Sequence, residues 1–185
     1  MSSQERESGT KKGGWLKDTL SVLLLACIIA FSIKMFVIDT RMIPSESMLP
    51  TIEIGDRVIV CRFSYWFDAS PERGDIIVFR APVELNEKDD LIKRVIGLPG
   101  ETVEVTGGKV YVDGVALDEP YILEAPDYEF GPVEVPENSY LVLGDNRNES
   151  YDSHLWMQTF IVDDDIKGKA IWRYWPIDRL GKLDK

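Results

Sequence analysis

The chain has one histidine, two cysteines and a shortage of positive charge, with 21 Lys and Arg against 32 Asp and Glu for a net charge of −11. Each scarcity excludes something. Affinity for nucleic acid comes from clustered cations that displace counterions from phosphates, so so acidic a chain is not expected to bind DNA or RNA. Its acidity reads as solubility. Cys27 lies inside a long apolar run and Cys61 beyond it, so an intrachain disulfide is not expected. Neither cysteine has His or Cys neighbours at zinc-ligand spacing, and no metal or cofactor is expected. What is present is enough for a packed core: 185 residues, 44% of them apolar, with seven Phe, seven Tyr and five Trp. That length suits one compact domain plus an appendage.

Residues 1–18 are polar and mixed in charge, and read as a flexible tail. Thr19–Ile38, TLSVLLLACIIAFSIKMFVI, carries a single charge, Lys34, near its far end. About 20 apolar residues span a bilayer, and a lysine near the end can send its ammonium to the interface, so the run is expected to be a transmembrane helix. A buried core helix or a cleaved secretory signal are the alternatives, and no A-x-A-like cleavage site follows. Arg6, Lys11, Lys12 and Lys17 precede the run, whereas Arg41 is the only basic residue soon after it. The positive-inside rule then keeps 1–18 in the cytoplasm and sends 39–185 outside.

Beyond the span, the pattern becomes one of short runs rich in Val, Ile and aromatics: DRVIVCRF, GDIIVFRAP, LIKRVIGLPG, TVEV, KVYV, SYLVLGD and KAIWRYWPI. These are predicted strands, giving a mainly β fold. Gly107-Gly108 and Asp113-Gly114 tolerate positive φ and predict hairpin turns, hence a three-stranded meander over Thr102–Leu117. The stretches 84–90 and 118–136 are expected to be loops or excursions. The aromatic run Tyr65, Trp66 and Phe67 suits either core packing or contact with a bilayer interface.

Three clusters carry possible chemistry. In Ile43–Asp56, Pro44 and Pro50 bracket Ser45 and Ser47 and predict an extended path with both serines on one side. Lys93 sits in an apolar strand, where desolvation disfavours an ammonium and lowers its pKa towards that of a usable base. In Leu143–Trp156, Ser150, Asp152 and His154 share one parity, so an extended segment would place them together, with Asp152 pairing His154 or Arg147. Taken singly, each cluster also reads as ordinary loop or surface.

Taken together, PSESMLPT, RGDIIVF, IKRVIGLPGE and GDNRNESYDS resemble, in order and in rough spacing, the motifs of bacterial type I signal peptidases. The similarity runs from the N-terminal anchor to about Asp178 and is greatest to the compact Gram-positive or cyanobacterial form. It implies an antiparallel β-sheet catalytic domain of the LexA-like Ser–Lys protease fold. It also implies a membrane-bound endopeptidase of the plasma membrane that acts on preproteins, cutting after small residues. By position, the resemblance makes Ser47 the nucleophile and Lys93 the general base, with Ser45 and the Ser47 N–H forming the oxyanion hole. Ser150 would steady the lysine and Asp152 would support it, with Arg147 and His154 nearby; His154 falls where proteobacterial relatives often carry arginine. The implied substrate pocket is Ile43, Pro44, Met48, Ile52, Leu91 and Ile92, an apolar set that admits alanine and excludes bulk. Two other readings stay open: a triad of serine, His154 and Asp152, and a membrane-anchored β-domain that binds exported chains without cutting them.

Overall fold

The computed structural model describes residues 12–36, 38–66, 69–87 and 89–183. The chain divides into two compact units, Met1–Val37 and Ile38–Lys185. Among its described residues the first holds one helix, α1 (Lys12–Phe36). The predicted span was to end at Ile38, but the helix ends at Phe36 and Ile38 opens a strand that pairs with Cys61. Among the described residues no helix is long and apolar enough to cross a membrane. The predicted span also runs through Ser32–Val37, whose side chains lie outside the described set.

Among the described residues the second unit is built from twelve strands. They are β1 (Ile38–Met42), β2 (Arg57–Cys61), β3 (Ile76–Arg80), β4 (Asp90–Gly97), β5 (Thr102–Thr106) and β6 (Lys109–Val112). There follow β7 (Val115–Ala116), β8 (Phe130–Glu134), β9 (Ser139–Leu143), β10 (Ile161–Val162), β11 (Ile166–Trp175) and β12 (Gly181–Lys182). An eight-stranded sheet runs β1-β2-β11-β3-β4-β9-β10, with β12 added to β11, and a four-stranded sheet runs β7-β6-β5-β8. The pairings are antiparallel, so the mainly β, antiparallel expectation holds.

The predicted meander is β5-β6-β7, and Gly107, Gly108, Asp113 and Gly114 all have positive φ at its turns. The stretch 118–136 is more than an excursion, because β8 lies within it and pairs with β5 to complete the small sheet. FGPVE escapes a pattern search because glycine and proline interrupt its alternation. Of the aromatic run, Tyr65 packs on the core and donates to Asp75 at 3.0 Å, Trp66 is half exposed, and Phe67 lies outside the described residues.

Strand alternation divides the interior. On β3, Ile76 and Val78 enter a cluster with Ile43, Met48 and Ile52, while Ile77 and Phe79 enter another with Val95, Tyr140 and Trp156. β3 is therefore buried on both faces, which is why it reads as an unbroken apolar run. A third cluster joins the two sheets through Ile96, Leu141 and Leu143 on one side and Val103, Val105 and Val110 on the other. β4 lies between β3 and β9, and its second half, Lys93–Gly97, is buried throughout. The register sets Lys93 opposite Ile77 and Arg94 opposite Leu143.

Gly97 marks a close approach of the sheets: a Cβ there would meet Val103 Cγ2 at 2.6 Å and Val135 Cγ2 at 2.9 Å. Gly97→Ala should therefore destabilise the chain by about 1–3 kcal/mol through overpacking. Thermal unfolding of the detergent-solubilised chain, followed by tryptophan fluorescence, measures this; an unchanged midpoint would mean that the sheets are not packed so tightly there.

Candidate active site

The segment between β1 and β2 is held as a closed loop. Ile43 N–H donates to Asp56 O and Gly55 N–H to Ile43 O, each at 2.9 Å, while the Asp56 carboxylate takes the Glu53 N–H and the guanidinium of Arg179. Met48 and Ile52 anchor it in the core. The expected extended path is instead a turn, with Leu49 N–H on Glu46 O at 3.0 Å and Ile52 N–H on Met48 O at 2.9 Å. The turn still brings the serines together, Ser45 Oγ lying 3.4 Å from Ser47 Oγ. Ser47 is 7% exposed.

Lys93 reaches this turn from β4. Its Nζ lies 2.5 Å from Ser47 Oγ, and the residue is 4% exposed. Burial pushes the Lys93 ammonium down to about 8 from its usual 10.5, and the fields of Asp152 and Asp145 oppose that fall. An amine with such a pKa is roughly a tenth neutral at pH 7, and a neutral amine in contact with a hydroxyl can accept its proton.

The segment after β9 supplies those carboxylates. Arg94, fully buried, donates from Nε and Nη2 to the two oxygens of Asp145 at 2.7 and 2.6 Å, and from Nη1 to Gly74 O. Thr51 Oγ1 donates to Asp145 at 2.5 Å, which ties the serine loop to this pair, and Tyr121 lies 3.9 Å beneath the guanidinium. Arg147 is bidentate with Glu119 at 2.9 and 2.8 Å and donates to Gly144 O, so it does not pair with Asp152. Asp152 instead faces His154, whose Nδ1 lies 2.7 Å from Oδ1, while Oδ2 takes the Gly144 N–H at 2.8 Å. The His154 ring stacks on Tyr128 at 3.9 Å.

The shared parity of Ser150, Asp152 and His154 does not act through an extended strand. Arg147–Glu149 is a 3-10 turn, and further turns follow, in which Asp152 accepts the His154 N–H at 3.3 Å and its carbonyl takes Leu155 N–H and Trp156 N–H. Ser150 Oγ is buried with no hydrogen-bond partner among the described residues, so no bond to Lys93 is present. It packs on Gly144, where an added Cβ would collide with Ser150 and with the Ser47 carbonyl. Gly144 lets the two loops touch.

A cleft of about 360 Å³ is lined by Ile43, Pro44, Val78, Leu91 and Ile92, with Arg41 and Asp90 also among its lining. Ile43 and Pro44 lead into the serine loop and Leu91 and Ile92 into Lys93, so chain continuity sets the cleft beside the Ser47–Lys93 pair. Met48 and Ile52, the other two residues of the predicted pocket, are buried in the core and are not among the lining. Val78, Arg94, Asp145, Asn146, Glu119 and Thr51 escaped the sequence reading. The one signal available was Arg94 itself, a second cation in an apolar strand.

Comparison with known proteins decides the family. The family model "Signal peptidase, peptidase S26" matches residues 16–175, a range that holds Ser45, Ser47, Lys93, Arg94, Asp145, Asp152 and His154. The chain belongs to the signal peptidase family, peptidase S26. It is 48% identical over 98% of its length to a signal peptidase I of Leptolyngbya laminosa, covering 90% of that protein. It is 37% identical over 87% of its length to signal peptidase IB of Staphylococcus aureus, covering 90% of that protein. It is also 37% identical to thylakoidal processing peptidase 1 of Arabidopsis thaliana, over 93% of this chain and 54% of the other. Cyanobacterial and Gram-positive members are thus both near relatives. Membership makes this chain a serine peptidase, a hydrolase that removes signal peptides from preproteins.

Within this signal peptidase, the buried Arg94–Asp145 pair ties β4 to the loop after β9. Removing one partner leaves an uncompensated buried charge, so Arg94→Ala should cost about 3–5 kcal/mol, while Arg94→Met with Asp145→Leu should recover most of that loss. Melting temperatures of the variants in detergent measure both effects. A single variant that melts within a degree or two of the parent would remove the pair from the account.

Proposed function

We propose that Ser47 is the nucleophile and Lys93 the general base with which this peptidase cleaves preproteins. The supporting observation is the 2.5 Å contact between Lys93 Nζ and Ser47 Oγ in a buried site. Neutral Lys93 takes the hydroxyl proton as Oγ attacks the scissile carbonyl, and returns it to the leaving amine. Water then hydrolyses the acyl ester. Ser47 N–H and Ser45 Oγ are the donors suited to the oxyanion, each such donor typically contributing about 3–4 kcal/mol. Asp152 and His154 act as supports. An aspartate on His154 Nδ1 would suit a triad as well, but the base in contact with Ser47 Oγ is Lys93, which favours the dyad over a triad through histidine.

The apolar cleft of Ile43, Pro44, Val78, Leu91 and Ile92 suits the small side chains of the A-x-A pattern. The substrate lies extended along it, with backbone hydrogen bonds like those of an added strand. α1 is read as a single anchor in the plasma membrane, because Leu20, Val22 to Leu25, Ile28, Ile29 and Phe31 are all at least half exposed on a continuous helix. A helix apolar on all sides needs lipid or protein around it. Residues 1–18 are then cytoplasmic and 39–185 extracytoplasmic.

Three outcomes are expected. Because the neutral form of Lys93 is the active one, and its fraction grows as pH passes its pKa, preprotein cleavage should rise with pH through about 8. Ser47→Ala and Lys93→Ala should be inactive, and Lys93→Arg equally so, since a guanidinium stays protonated. Substantial turnover by folded Lys93→Arg would end the general-base role. Protease added to intact cells should degrade the 39–185 domain and spare it in inverted vesicles; the reverse pattern would overturn the orientation.

A further inference from the structure

In this site the acid–base work falls to side chains, but the oxyanion would be met by a backbone N–H, whose direction some other group must fix. The Glu46 carbonyl and the Ser47 N–H belong to one planar trans peptide unit and point in opposite directions. Asn146 Nδ2 donates to that Glu46 carbonyl at 3.2 Å, and the Asn146 backbone N–H donates to the Ser47 carbonyl at 3.1 Å. A single residue thus grips the peptide units on both sides of Ser47. Asn146 is 3% exposed, and its Oδ1 has no partner among the described residues, so the Glu46 carbonyl is the contact its amide makes.

We propose that Asn146 is a positioning residue for the oxyanion hole, its side-chain amide turning the Glu46–Ser47 peptide so that the Ser47 N–H faces the reacting carbonyl. The proposal rests on the reading of Ser47 as nucleophile and of its N–H as an oxyanion donor. Two features strengthen it. Donation to the carbonyl end of a peptide polarises the unit and makes its N–H a better donor. Asn146 is itself rigidly carried, because Asp145 before it is clamped by Arg94 and Arg147 after it by Glu119.

The test uses the full chain in detergent, with a preprotein as substrate and two peptides of the A-x-A type as ligands. One ends in an aldehyde, to whose carbonyl Ser47 Oγ adds to give a hemiacetal; the other ends in the matching alcohol, which forms no oxyanion. Asn146→Leu keeps the shape and the backbone N–H and removes only the amide. It should lower kcat about 10- to 100-fold, below the loss of a whole oxyanion donor, with KM within about threefold. Aldehyde affinity should fall by a similar factor, alcohol affinity should hold, and the pH midpoint should stay that of the parent. Asn146→Ala should give the same pattern and serves if the leucine variant folds poorly. Parental kcat in either variant, or equal losses for aldehyde and alcohol, would overturn the proposal. Ser47→Ala separates the two readings. If it is inactive and blind to the aldehyde while Asn146→Leu behaves as the parent, only the role of Asn146 falls; if it turns over, the nucleophile reading falls and this one with it.

Discussion

The structure turns on keeping one ammonium group out of water. Lys93 lies on an interior strand of the large sheet with its Nζ on Ser47, and burial there favours the neutral amine. Two buried carboxylates, Asp152 and Asp145, stand close enough to pull the other way. Each is itself occupied: Asp145 by the bidentate guanidinium of Arg94 and the Thr51 hydroxyl, Asp152 by His154 and the Gly144 N–H. The desolvation effect exceeds the pull of the two carboxylates, and the lysine settles at about 8.

The same contacts build the site. Its parts come from three stretches far apart in the chain, the loop before β2, the strand β4 and the loop after β9. Sheet order brings β4 and β9 side by side, and the register sets Arg94 across from Leu143, one residue before Gly144. Thr51 links the serine loop to Asp145, Asn146 links it to the same loop by its backbone and side chain, and Gly144 allows the close approach. A buried ion pair is poor evidence of stability, since desolvation offsets much of its attraction. Here Arg94–Asp145 makes better sense as registration, a directional tie that an apolar pair cannot supply.

What the sequence revealed follows the range of each interaction. Turn pairs with positive φ are local, so the β5-β6-β7 meander was legible down to its glycines. Lys93 was legible as a lysine in apolar company, and the ordered motifs set it beside Ser47. Arg94 and Asp145 are 51 residues apart and Glu119 is 28 from Arg147, and no periodicity couples such positions. Proline and parity suggested extended paths at 43–50 and 150–154; hydrogen bonds to Glu46 O and to the Asp152 carboxylate turned both instead. Met48 and Ile52 were legible as apolar but not as core rather than cleft, since depth is a property of the whole packing.

A lysine base faces two opposing demands, and the carboxylates bear on both. Deeper desolvation would raise the neutral fraction at pH 7, yet it would also make the amine a weaker acceptor for the Ser47 proton, and proton-transfer efficiency is greatest when the base pKa lies near the working pH. Apolar walls alone push only downward. The fields of Asp152 and Asp145 push upward and halt the fall near 8, where some amine is already neutral at pH 7 and its basicity is largely kept. On this view the acidic residues around the site do more than hold loops together. Their fields, set against burial, are part of what fixes the strength of the base.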